Sequence, residues 1–356
     1  EIRSRGLGDV YKRQVEWSSG NKQVVYEIEA NRTISVNEDN SILANSINND
    51  SKSIFSRVNN FIKYSHRENV FDDFSNEILL PYKQSTLGPF ISTADLNNDG
   101  KEDIFIGGAH KQDAKIFLSN ENGLIEKNIE SFEVDSKNED MESIFIDIDN
   151  DNDLDLYVVS GGNEFNNRSI ELADRIYIND GKGNFKRDFQ EDLQNYTISG
   201  KTVSEIDFDN DGDSDIIIGN RIQTEKYPIH EPSIIYENIS GKFYNNTYNI
   251  APEFENFGIV NKVIKTDFNN DGWDDFIAVG EWTNIGLFLN ENGKFRDISN
   301  ESNLENTYGL WFNVIETDIN NDGLNDYLVG NIGENSKYKT SIDKPLKIFG
   351  NDFDGN

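Results

Sequence analysis

Asp95-Leu96-Asn97-Asn98-Asp99-Gly100-Lys101-Glu102-Asp103, running straight into Ile104-Phe105-Ile106-Gly107, recurs with small variations five times along this chain. The copies begin at Asp95, Asp147, Asp207, Asp267 and Asp318, and a sixth starts at Asp352. Oxygen-bearing side chains stand at relative positions 1, 3, 5 and 9. They are Asp95, Asn97, Asp99 and Asp103; Asp147, Asp149, Asp151 and Asp155; Asp207, Asp209, Asp211 and Asp215; Asp267, Asn269, Asp271 and Asp275; and Asp318, Asn320, Asp322 and Asp326. Four such groups meet at one hard cation only if the backbone turns sharply at position 6. There the chain has Gly100, Asn152, Gly212, Gly272 and Gly323, residue types that tolerate positive φ. Position 7 varies freely (Lys101, Asp153, Asp213, Trp273, Leu324), as expected where a backbone carbonyl is the ligand. A hairpin turn alone needs one or two such residues. Five copies with Asp at positions 1, 5 and 9 exceed that demand and predict calcium loops.

An EF-hand loop opens the same way but requires a bidentate Glu at position 12 and flanking helices. Position 12 here is Ile106, Val158, Ile218, Ala278 and Val329. These residues fall in short runs rich in β-branched and aromatic side chains, at 103–107, 155–159, 215–219, 275–279 and 326–330, which read as strands. The loops are therefore expected to join strands. Position 2 is always large and apolar (Leu96, Ile148, Phe208, Phe268, Ile319), an anchor for the loop on a core.

Motif starts are 52, 60, 60, 51 and 34 residues apart, a period suited to four-stranded propeller blades. After each post-motif strand comes a hairpin, as in 115–123, 176–185, 234–243 and 287–295. The unit of Asp-rich loop, strand, Gly and terminal Asn-x-x-Gly-x-Phe hairpin resembles the FG-GAP or VCBS repeat of integrin-α-like β-propellers over about residues 85 to 356. That resemblance implies an all-β propeller of four-stranded blades with calcium between two adjacent strands of each. Upstream, Val15-Glu16-Trp17-Ser18-Ser19-Gly20 and the stretch 29–38 resemble the end of the ASPIC/UnbV domain of a cartilage-acidic-protein-like bacterial family, with Ser18 where that family usually has Pro. The expected organisation is a translated sequencing-adapter run at 1–14, the ASPIC/UnbV tail at 15–38, an Asn/Ser-rich linker at 39–53 and the propeller at 54–356. The chain has no initiating Met and stops inside the motif at Asp352, so an incomplete propeller from a fragment is expected.

The chain of 356 residues carries a formal charge of −32, which disfavours nucleic acid and anionic membrane surfaces as partners. No apolar run approaches the roughly 18 residues that span a bilayer. There is no cysteine, so neither disulfides nor thiolate metal sites are available. Weak calcium sites fill outside the cytosol, and a secreted or cell-surface location follows as the expectation. His66, His110 and His230 have no recurring partner, and no nucleophile elbow, zinc motif or phosphate loop is present. The chain is accordingly read as a non-enzymatic binding or adhesion module for an extracellular protein or glycan. Part of a secreted polysaccharide-acting enzyme is the alternative. Trp282 and Trp311 are candidate ligand contacts, with packing between blades as the competing role.

Overall fold

Strands occupy every stretch that follows an Asp-rich loop; those after the second and third loops are buried at every position, while the one after the fifth is half-exposed. Our computed structural model describes residues 2–3, 12–17, 19, 21–26, 33–38, 62–333, 338–341 and 343–349. The chain divides into two units, 1–60 and 61–356. In the first, β1 (Ile2–Arg3), β2 (Lys12–Glu16), β3 (Lys22–Tyr26) and β4 (Thr33–Ile34) form two antiparallel pairs, β1 with β4 and β2 with β3. Residues 12–14 pair with 24–26, so the boundary expected after residue 14 runs through a strand. The expected linker at 39–53, the 29–32 part of the ASPIC/UnbV match, and Asp352 lie outside the described residues.

The second unit contains three antiparallel four-stranded sheets, each a meander, and one sheet of six strands. Blade 1 is β5 (Ile91–Ala94), β6 (Asp103–Ile106), β7 (Lys115–Asn120) and β8 (Gly123–Lys127). Blade 2 is β9 (Asp140–Ile146), β10 (Asp155–Ser160), β11 (Arg175–Asn179) and β12 (Phe185–Asp188). Blade 3 is β13 (Gly200–Ile206), β14 (Asp215–Asn220), β15 (Ile234–Asn238) and β16 (Phe243–Asn245). Blade 4 is β17 (Ile259–Thr266), β18 (Asp275–Thr283), β19 (Gly286–Asn290) and β20 (Phe295–Asp297). A further pair, β21 (Gly309–Thr317) with β22 (Asp326–Asn331), occupies the place of the first two strands of a fifth blade and joins the sheet of blade 4, where Leu310 pairs with Glu281 and Gly309 with Thr283. The helices are short segments of four or five residues. This is an all-β array of propeller blades. Among the described residues no strand pairs the first blade with the last.

The core lies between blades. In β10, Leu156 and Val158 belong to the cluster shared with Leu96, Phe105 and Ile116 of blade 1, while Tyr157 and Val159 face Ile216, Tyr236 and Phe243 of blade 3. The same period of two divides β14, where Ile216 and Ile218 face blade 2 and Ile217 faces Phe276 and Phe288 of blade 4. A strand covered on both faces needs apolar residues at every position, which is why Asp-Ile-Ile-Ile-Gly reads as a continuous run. The hairpin Phe of each blade caps the blade before it: Phe185 joins the cluster of Leu96, Phe243 that of Ile148 and Phe295 that of Phe208. Ile319, whose following hairpin is not among the described strands, is exposed.

First strands of successive blades lie side by side: β5 by β9, β9 by β13, β13 by β17 and β17 by β21. They are joined through side chains, as when Val203 N–H donates to Glu142 Oε2 (3.0 Å) and Lys265 N–H to Ser204 Oγ (3.2 Å). The segment 62–90 crosses four blades as a strap. Tyr64 Oη donates to Gly107 O (3.2 Å), Glu77 accepts from Tyr227 N–H (2.9 Å) and from Asn163 Nδ2 (2.6 Å), and Tyr82 donates to Glu281.

Interblade packing of the hairpin Phe yields a direct test. Phe243→Ala should cost about 3–5 kcal/mol in denaturant unfolding, because a buried ring is lost between two sheets. Tyr244→Ala, on the half-exposed neighbouring position, should stay within about 0.5 kcal/mol.

Candidate metal centres

Two residues of each loop take left-handed backbone conformations. At position 6, Gly100, Asn152, Gly212, Gly272 and Gly323 have φ of 81°, 71°, 91°, 87° and 83°. At position 4, Asn98, Asn150, Asn210, Asn270 and Asn321 have φ of 57–60°. The first set matches the sequence expectation. The second was signalled by an Asn in all five copies and was missed, although Asn is the side chain that best tolerates this region after Gly. These paired turns aim successive N–H groups inward at the first aspartate. Gly100 N–H donates to Asp95 Oδ2 (2.7 Å) and Asp99 N–H to Asp95 Oδ1 (3.1 Å); the same pair recurs at Asp147, Asp267 and Asp318. The position 5 carboxylate then accepts from position 7, as in Trp273 N–H to Asp271 Oδ1 (2.9 Å).

The position 9 aspartates do more than line the loop. Asp103, Asp155, Asp215 and Asp275 are at most 1% exposed. Each accepts from the N–H of its own position 2 residue: Leu96 (3.0 Å), Ile148 (3.1 Å), Phe208 (3.2 Å) and Phe268 (3.2 Å). Each also accepts from the third strand of its blade, from Ser119 (2.6 Å), Asn179 (2.8 Å), Asn238 (2.7 Å) and Asn290 (2.8 Å). Asp326 keeps the first bond, to Ile319 (3.0 Å).

The sequence reading also missed a set of bridging amides. Asn238 Nδ2 donates to Ile148 O in the preceding loop (3.0 Å) and to Ser214 O in its own (3.2 Å), while its Oδ1 accepts from Gly241 N–H (2.9 Å). Asn179 makes the equivalent bonds to Leu96 O and Leu154 O, and Asn290 to Phe208 O and Asp274 O. Asn120, in the first blade, accepts from Asn122 N–H in its own turn. Loops also touch directly, since Asn98 Nδ2 donates to Asp153 Oδ1 (3.0 Å) and Asn150 Nδ2 to Asp213. The variable position 7 side chains Asp153 and Asp213 thus serve as contacts between loops, whereas Lys101 and Leu324 are exposed and Trp273 is half-buried.

In the second loop, oxygens of Asp147, Asp149 and Asp151 all lie within 4.8 Å of one another, and in the third those of Asp207, Asp209 and Asp215 do. These sets contain oxygen donors alone, the chemistry of a hard divalent cation. Asp207 Oδ1 is buried without a hydrogen-bond donor, as fits an oxygen reserved for an ion. Burial, then the neighbouring charges of Asp151 and Asp147, raises Asp149 above the usual carboxylate range; burial and Asp211 do the same for Asp209. Burial lifts Asp155 to about 7, Asp215 to about 8 and Asp275 to about 6, against the lowering effect of their N–H donors. Positions 1, 3, 5 and 9 carry oxygen donors in all five loops, with Asp149 and Asp209 adding a fourth carboxylate to the second and third. Trp282 and Trp311 are half-buried, and their indole N–H groups donate to Tyr227 Oη (2.6 Å) and Thr307 O (2.8 Å).

Asn238→Ala should cost about 1–3 kcal/mol, since it leaves buried carbonyls of two loops without a donor; Asn120→Ala should cost less, as measured by denaturant unfolding. A pH dependence follows as well. Carboxylates whose pKa in the fold exceeds the unfolded value of about 3.9 stabilise the fold when protonated. In chelator, stability should therefore fall as pH rises from about 4 to about 8, and a divalent cation should remove that fall; thermal melts across this range decide it.

The FG-GAP-like repeat family matches residues 95–158, 147–218 and 267–329, just over half of the chain. No curated protein matches it. Among solved structures the chain is similar to the V. cholerae biofilm matrix protein Bap1, at 16% identity over 70% of this chain and 37% of that one, with a TM-score of 0.33. It thus spans little more than a third of the length of Bap1. With an Asp-rich loop between the first two strands of every blade and the family match running across those loops, the chain belongs to the FG-GAP-like repeat family.

Proposed function

We propose that residues 54–356 form a calcium-loaded binding or adhesion module that works outside the cytoplasm and recognises an extracellular protein or glycan without transforming it. The observation that carries the calcium reading is the repetition of one loop geometry, with oxygens gathered at the second and third loops around a point that a divalent cation would neutralise. Five such loops on one side of successive blades, tied together by Asn179, Asn238 and Asn290, form a row of ion-dependent staples in a chain without cysteine. Filling them at millimolar calcium suits a secreted or cell-surface protein. The net charge of −32 argues against nucleic acid as the partner. Residues 15–38 are assigned to the tail of an ASPIC/UnbV domain on the resemblance of their sequence.

Equilibrium dialysis should find one calcium ion per loop, about five, at about 1 mM calcium. Removing them with chelator should lower the melting temperature by roughly 10 °C or more, because each site at a hundredfold excess over its Kd contributes about 2.7 kcal/mol. Magnesium should restore little of this, as it demands tighter octahedral geometry. Asp149→Asn should weaken one site. An identical melt in calcium and chelator would mean that the loops are ordinary turns and the proposal is wrong.

A further inference from the structure

The strand after the fifth loop is an open edge: among the described residues β22 pairs with β21 and with no third strand. In the four blades before it the corresponding strand meets a third strand in one fixed register. The residue after the position 9 aspartate stands opposite an aromatic ring, as Leu156 does opposite Tyr177 and Ile216 opposite Tyr236. The next residue stands opposite an aliphatic side chain, as Tyr157 does opposite Ile176 and Ile217 opposite Ile235. Blades 1 and 4 repeat both pairings. On β22, by contrast, Leu328 is 50% exposed. Asp103, Asp155, Asp215 and Asp275 each accept an N–H from the third strand, whereas among the described residues Asp326 accepts the Ile319 N–H alone. Nor does Phe268 O, in the fourth loop, receive an amide of the kind that Asn179, Asn238 and Asn290 give to Leu96, Ile148 and Phe208.

The chain itself carries a segment with the chemistry of that third strand. Lys347-Ile348-Phe349-Gly350-Asn351 repeats the order of Lys115-Ile116-Phe117-Leu118-Ser119 and Arg175-Ile176-Tyr177-Ile178-Asn179. The same sequence of aliphatic, aromatic, any residue and Asn recurs at 235–238 and 287–290. The connection 332–346 matches 161–174 of blade 2 and 221–233 of blade 3 to within two residues. In the structure Ile348 packs against the cluster of Leu80, Ile222, Tyr227 and Ile259. Phe349 is 75% exposed, although its counterparts Phe117, Tyr177, Tyr236 and Phe288 are buried. A bare strand edge presents a row of unpaired N–H and C=O groups, and one rearrangement covers both the edge and the ring.

We propose that residues 347–351 dock on the open edge of β22 as the third strand of the fifth blade. The register shared by the other blades sets Phe349 opposite Tyr327 and Ile348 opposite Leu328. Phe349 then turns towards blade 4, where Tyr327 and Val329 already pack against Ile277 and Val314. Asn351 gives its N–H to Asp326 and its side-chain amide to Phe268 O and Asn325 O, joining the fourth and fifth loops as Asn238 joins the second and third. Ile348 cannot occupy both places, so docking releases its contact with the strap residue Leu80. Asp352 falls in the turn after this strand, where Asp180 stands in blade 2, and opens no sixth loop. The docking rests on backbone pairing and side-chain burial, and holds whether or not the loops take calcium.

The chain has no cysteine, so an introduced pair reports proximity without competition. Leu328→Cys/Ile348→Cys puts two thiols on opposed strand positions, within the Cα separation of about 4.4–6.8 Å that a disulfide bridges. Glu237→Cys/Tyr244→Cys, opposed in blade 3, is the positive control. Both full-length variants are oxidised with oxidised glutathione, in calcium and in chelator, and resolved on a non-reducing gel. The expected result is a disulfide within single chains for both pairs under both conditions. Adding Phe349→Asp, which cannot seat beside Tyr327, should cut the cross-linked fraction of the 328–348 pair severalfold and leave the control unchanged. The proposal is overturned if the control closes while the 328–348 pair stays reduced, or if Phe349→Asp leaves its yield unchanged. It is equally overturned if that pair closes only between two chains, which would put a second copy's segment on the edge.

Discussion

A buried carboxylate at the start of the second strand holds each of the four complete blades together. Asp103, Asp155, Asp215 and Asp275 each tie the loop's entry to the third strand of the same sheet through two backbone N–H groups. A charged acceptor in this position is stronger than a neutral one and fixes both segments at once. Its burial also carries an electrostatic penalty, and the other aspartates of the loop add to it. A cation in the loop would offset both terms. The same residue thus serves the fold and the proposed ion.

Because the blades pack face to face, what stabilises one loop reaches the next. The Phe at the end of each hairpin covers the apolar anchor of the preceding loop, and the Asn at its start donates to that anchor's carbonyl. Filling one loop with an ion would therefore order groups that the neighbouring loop uses. The network is physically contiguous from Leu96 to Asp274, through bonds that are each present in the structure. The strap adds a second set of ties at the other ends of the strands, where Glu77, Tyr82 and Gln84 reach the third and fourth blades.

Much of this was legible in the sequence because its signals are local. Positive φ at Gly100 and its counterparts, the strand after each motif and the hairpin closed by Phe185, Phe243 or Phe295 follow from residues within a dozen positions of one another. The dual role of the position 9 aspartates was not legible, because a metal ligand and a buried backbone acceptor are the same residue type. The bridging amides were hidden by distance, with Asn238 lying 90 residues from Ile148. Residues 62–90 have no periodicity to betray a strap that owes its shape to four separate blades. The bonds from Asn163 to Asp73 and Glu77 were out of reach for the same reason, as they join blade to strap.

The most direct test of the account is a crystal structure of the chain grown in calcium, with anomalous scattering collected at long wavelength. The account predicts an anomalous peak within each Asp-rich loop, bounded in the second by Asp147, Asp149 and Asp151 and in the third by Asp207, Asp209 and Asp215. Loops that keep the same backbone turns with no anomalous peak at saturating calcium would contradict it.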